Sequence, residues 1–190
     1  MNRNRSHSAT ALLFRVALAA AVLLPLGGSA LGRPSGSSTA EEALILCRRA
    51  DTMTGEQREE MLARGMELAE RAVEVDQRDA LAHFAIVCNL GRKMQASGMG
   101  LAQLFKLRRL KRELDTTLEL APNDPDSLVA KGALLLQLPR LLGGDVVEAE
   151  KLLRHALDVE PDNGAARCYL AQALSARGVA PEQGMAAPHC

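Results

Sequence analysis

The chain has no tryptophan, one tyrosine and three phenylalanines in 190 residues. Platforms for single-stranded nucleic acid or sugars rest on aromatic faces, so this shortage argues against both kinds of ligand. Charge of one sign is also missing: 23 basic residues stand against 23 acidic ones. With no net field to draw it to DNA or anionic lipid, the chain is not expected to bind nucleic acid. Long apolar runs are absent too. The longest near the start, Val16 to Leu26, holds 11 residues, and a spanning helix needs about 20. What remains is a chain 47% apolar, enough for one domain with a sizeable core. Leu, Ala, Val and Met must fill that core.

Residues 1–30 read as an export signal. Arg3 and Arg5 make a basic start, the apolar run follows, and Gly28, Ser29 and Ala30 are small, as signal peptidase requires. Cleavage after Ala30 removes Arg3, Arg5 and Arg15 and no acid, leaving a mildly acidic protein that is periplasmic or secreted. The alternative is an uncleaved anchor over residues 12–26, with Arg15 snorkelling, which is the one route to a membrane in this reading. No cysteine lies just after the run, which argues against a lipid-anchored lipoprotein. Residues 31–38, rich in Gly, Ser and Pro, form a flexible linker, residues 39–178 the folded domain, and residues 179–190 a disordered tail.

Four cysteines, Cys47, Cys88, Cys168 and Cys190, allow three pairings in an oxidising compartment. Cys47, Cys88 and Cys168 each sit in an apolar helical segment, where a thiol behaves as a small hydrophobe, so free thiols are expected. His189 and Cys190 on a terminal tail are too few for a metal site. His7, His83, His155 and His189 are scattered, His83 on an apolar helix as a packed imidazole. No nucleophile, base and orienting group fall together. The expectation is no catalysis, no metal and no cofactor.

Punctuation marks the helices. Leu118-Glu-Leu-Ala-Pro122-Asn-Asp124 and Leu157-Asp-Val-Glu-Pro161-Asp-Asn163 repeat one device: an apolar helix end, a proline, and an Asp or Asn suited to start the next helix. Capping-box spacing occurs at Thr39–Glu42, Thr54–Gln57 and Asp145–Glu148. Helices are therefore predicted from Thr39 to about Asp51, Thr54 to Val75, Asp79 to Met94, Leu101 to Leu120, Asp124 to Leu138, Asp145 to Val159 and Asn163 to Arg177. Gly178 stops the last one. The Leu141-Leu-Gly-Gly-Asp145 stretch reads as a turn and cap rather than an anion site, because Asp145 would repel phosphate and no Lys follows. The cations Lys106 to Arg112 read as a solvated face balanced by Glu113 and Asp115.

Small residues recur at fixed distances from each helix exit. Gly65 and Ala72 precede Gln77 by twelve and five, Ala149 and Ala156 precede Pro161 by the same steps, and Gly132 and Ala171 lie ten beyond Pro122 and Pro161. Ala69 belongs to the same set, since hairpin helices approach closely only where side chains are short. This pattern resembles the tetratricopeptide repeat over about residues 56–178. It departs from it at Leu110 and Thr117, which stand at small-residue sites, and in spacings of 45 and 39 residues between Gln77, Pro122 and Pro161. The extra residues fall at hairpin tips. The resemblance implies an all-α fold of stacked antiparallel hairpins, an α-solenoid of about three units plus a capping helix. It also implies a scaffold or adaptor for a protein or peptide partner in the cell envelope. The first helix of each unit would line the binding face, with Asn89, Arg92, Lys93, Lys131, Gln137, Arg167 and Gln172 as contacts. A periplasmic accessory solute-binding component of a transporter is the alternative, and it requires a ligand cavity in the stack.

Overall fold

The computed structural model describes residues 36–95 and 101–179. The expected signal, residues 31–35 of the expected linker and residues 180–190 of the expected tail lie outside the described residues. Seven helices follow one another: α1 Gly36–Arg49, α2 Gly55–Val75, α3 Ala80–Gln95, α4 Leu101–Leu120, α5 Pro125–Gln137, α6 Val146–Val159 and α7 Gly164–Ala176. Short 3-10 turns sit at Ala50–Thr52 and Arg140–Leu142. No strand occurs among the described residues. Successive helices pair as α1 with α2, α3 with α4 and α5 with α6, and α7 covers the open side of the last pair. The fold of the described residues is an all-α stack of helical hairpins.

Helix ends follow local chemistry in the second half of the chain. Asp124 accepts the Ser127 amide at 2.8 Å ahead of Pro125, Asp145 accepts those of Val147 and Glu148 at 2.9 and 3.1 Å, and Asn163 accepts that of Ala166 at 2.9 Å. Each satisfies a donor that the first helical turn leaves open. At the far end Gly178 takes φ 72°, a left-handed conformation suited to glycine, and Val179 N–H reaches back to the Leu174 carbonyl at 2.9 Å.

The first half departs from the capping expectations. Thr54 stands at the N-cap of α2 but makes no side-chain cap bond. Helix α1 begins at Gly36 rather than Thr39, so residues 36–38 are helical and not linker. Ser37 donates to Asp79 Oδ2 at 3.2 Å, fastening that extra turn to the start of α3.

The expectation of free thiols is overturned. Cys47 of α1 and Cys88 of α3 form a disulfide, Cys168 is disulfide-bonded as well, and no cysteine among the described residues is free. The helical segments are apolar as read, but α1 packs against α3 and places Cα47 and Cα88 6.1 Å apart, within bridging range.

Three layers of core run along the stack. Ala43, Leu44, Leu68, Ala69, Ala85 and Ile86 join α1, α2 and α3. Val87, Leu90, Leu110 and Leu114 join α3 and α4, with Ala130 and Leu134 of α5 packed on them. Leu128, Val129, Leu153, Ala156, Leu170 and Leu174 join α5, α6 and α7. Gly65, Ala69, Ala72, Gly132, Ala149, Ala156 and Ala171 are all buried. A Cβ on Gly132 would lie 2.7 Å from Leu153 Cγ, and one on Gly65 only 2.3 Å from Asn89 Oδ1. In the α3–α4 pair the bulk changes sides: Leu110 is the large partner and Gly91 of α3 the residue beside it, 3.5 Å from a built Cβ.

Candidate partner-binding face

Two pairs of odd-numbered helices pack on one another. Helix α1 packs on α3 and α5 on α7, whereas the even-numbered helices have no comparable packing on one another. Arg48 at the end of α1 reaches Asp126 at the start of α5, 3.2 Å away and 78 residues on. Burial pushes the Asp126 carboxyl above its ordinary value, the Asp124 charge adds to the rise, and Arg48 opposes it.

Of the predicted contacts, Asn89 requires correction. It is 0% exposed, and its Nδ2 donates to the Ala85 and Ala43 carbonyls at 2.9 and 3.2 Å. A side chain sealed between α1, α2 and α3 does not meet a docked partner, and its place is in the packing. The others lie at or near the surface. Arg92 pairs with Asp51 at 2.7 Å, Lys131 with Asp115 at 2.9 Å and Arg167 with Asp162 at 3.0 Å. Gln137 and Gln172 are exposed, and Lys93 is half-buried. The structure thus brings charged and amide side chains of α3, α5 and α7 to the surface, most of the cations already opposite a carboxylate. Asp51, Asp115 and Asp126 complete these pairs and escaped the sequence reading. Only the tertiary fold places Arg48 beside Asp126, so no local signal exists for it.

His83 is packed as expected: Nε2 donates to the Gln77 carbonyl at 3.0 Å and Nδ1 lies 2.7 Å from Glu113 Oε2. Arg109 bridges the same Glu113 and, at 2.7 Å, Glu70. No group of three or more His, Cys, Asp or Glu suited to a metal occurs among the described residues. The Gly-Gly loop forms a cap, with both Asp145 bonds directed to its own helix. Two clefts, of about 410 and 510 Å³, open on the surface at hairpin tips. One lies beside Leu46, Met53 and Met61, the other beside Phe105 and Leu141.

No protein family and no curated protein matches the chain by sequence. Among solved structures, a similar one is the first TPR of Spaghetti (RPAP3) bound to HSP90 peptide SRMEEVD. It is 15% identical, with TM-score 0.49, over 73% of this chain and 95% of that one.

Proposed function

We propose that the chain is an exported, non-enzymatic scaffold of the cell envelope that binds a protein or peptide partner on a face formed by α3, α5 and α7. The observation that supports this reading is that α3, α5 and α7 carry Arg92, Lys131, Gln137, Arg167 and Gln172 at or near the surface. Side chains from separate hairpins aligned on one face can meet an extended partner at several points at once. The Arg–Asp and Lys–Asp pairs hold long side chains in place beforehand, which lowers the entropy lost on docking. Export is supported by the basic and apolar start of the sequence and by the Cys47–Cys88 bond, of a kind that persists in oxidising compartments.

Site-directed photo-crosslinking in intact cells tests the face. A photoreactive residue at Gln137 or Gln172 is expected to give one discrete adduct, and the same group at Glu119 on the outer helix α4 none. Adducts of equal yield from all three positions, or from Glu119 alone, would overturn the reading. Export is tested separately by the intact mass of the mature protein, which is expected to begin at Leu31.

A further inference from the structure

Of the cations of α4, the acidic residues that follow them engage Arg109 alone among the described residues. Glu113 is engaged by His83 and Arg109, and Asp115 by Lys131 of the neighbouring helix. Arg108 and Arg112 on the exposed stripe of α4, and Arg140 in the 3-10 turn opposite, make no ion pair among the described residues. Although the whole chain is neutral, this end of it carries uncompensated positive charge.

The same place carries the most exposed large apolar side chains of the described residues. Leu141 is 98% exposed at the tip of the turn and Phe105 72% exposed on α4, with Leu104 at 43%. They flank one cleft, whose lining holds Arg108 and Lys111 and no acid. Lys111 Nζ reaches the Leu142 carbonyl at 3.4 Å, tying the turn to α4 so that the two apolar tips are held together.

The turn offers a partner little hydrogen bonding. Four of its amides are already used: Leu142 and Gly144 donate to the Pro139 carbonyl, Gly143 to that of Arg140, and Asp145 to that of Leu135. Among the described residues no strand edge is open for a peptide to extend. What the patch can offer is charge attraction and apolar insertion in the same plane, and a lipid leaflet with anionic headgroups over acyl chains matches both.

We propose that this surface, Phe105 and Leu141 ringed by Arg108, Arg112 and Arg140, docks the protein on an anionic lipid bilayer. The contact is peripheral: no helix among the described residues is long and apolar enough to cross a membrane. It lies at the hairpin tips and leaves the proposed partner face open, so the two proposals stand or fall separately.

The absence of tryptophan allows a test at the residue itself, in the full chain. With Leu141→Trp, emission is expected to shift to the blue on adding phosphatidylcholine vesicles containing about one third phosphatidylglycerol. The shift should be absent with pure phosphatidylcholine and weakened at about 0.3 M salt, where screening is short-ranged. Adding Arg108→Glu and Arg112→Glu is expected to weaken the vesicle affinity about tenfold or more. Val75→Trp, exposed at the far end of α2, should stay unshifted, which separates this contact from any insertion of the N-terminal residues. No shift at position 141, an equal shift with neutral vesicles, or insensitivity to the two charge reversals would each overturn the proposal. A shift with soluble polyglutamate but not with vesicles would assign the patch to a polypeptide and overturn it as well.

Discussion

The two halves of the stack solve the same packing problem by different means. From α1 to α4 the helices are joined by a covalent bond, Cys47–Cys88, and by a buried amide, Asn89, that crosses from α3 to α1. From α5 to α7 they rest on side-chain caps at Asp124, Asp145 and Asn163 and on the close approach of Gly132 to Leu153. The first half adds long-range links between helices to the cap that Asp79 makes on α3 and the close approach at Gly65, while the second rests on well-made ends and short side chains. Reading the sequence succeeds where the means are local and fails where they are distant.

Reduction is the strongest way to break the comparison. Closing a loop over a separation of 41 residues restricts the unfolded chain by about 4 kcal/mol in the entropic account. Because Cys168 is also bonded, the specific test is Cys47→Ala with Cys88→Ala. It should lower the unfolding free energy by a few kcal/mol and speed amide exchange in α1 to α3 more than in α5 to α7; equal acceleration in both would contradict the division.

The next effect belongs to the second half. A Cβ on Gly144 would fall 1.8 Å from the Leu138 carbonyl oxygen, an atom of the backbone that cannot step aside. Gly144→Ala should therefore cost about 3 kcal/mol in chemical denaturation, and a loss under about 0.5 kcal/mol, the usual range of surface changes, would show the loop to be compliant.

Gly65→Ala strikes the first half, with its new methyl against Asn89. The expected loss is about 2 kcal/mol, since an overfilled core forces its neighbours aside. In an Asn89→Ala background the loss should shrink, because the obstacle is gone. Additive single effects in that double-mutant cycle would contradict the contact.

These positions show what was legible. Pro122, Pro161, Asp145 and Gly178 act on the few residues around them, so helix limits could be read within a turn. Gly65, Ala72, Gly132 and Ala156 recur because hairpin helices touch there, and spacing alone carries that. Asn89 could not be read. Helix α3 is enclosed by α1, α2 and α4 and buries Ala82, Ala85, Ile86, Val87 and Leu90 around much of its girth. Helical phase then gives no outward side on which to place an amide. The disulfide escaped for a similar reason, since apolar surroundings describe a buried thiol and a buried bridge equally well. The carboxylates opposite Arg92 and Lys131 could not be read either, since only the tertiary fold brings them there.

Capping offers a smaller contrast. Asp145→Ala should lose about 1 kcal/mol because two amides lose their acceptor, whereas Thr54→Ala should change stability by no more than a few tenths. Comparable losses at both, measured by thermal unfolding, would erase the difference between these two helix starts.

Acid gives the smallest effect. A hydrogen bond from Arg177, opposed by burial and aided by Arg154, holds the Glu150 carboxyl below its ordinary value. Its folded value being the lower one, its stabilisation is complete above the ordinary carboxylate range near about 4 and is lost as pH falls through the folded value. Asp126, raised, does the reverse: it favours the fold at low pH and ceases to do so as pH rises through its folded value. Glu150→Gln should flatten the acid side of the stability profile and Asp126→Asn should raise the neutral side slightly; unchanged profiles in both would remove these residues from the account.

The link from α1 to α3 also sets a direction for disassembly. An array whose units hold only to their neighbours comes apart from its ends. Here the first helix is riveted to the third, so peeling from that side must lift three helices together. Under load or protease the molecule should unravel from α7 inward, one hairpin at a time, with the riveted end the last piece to let go.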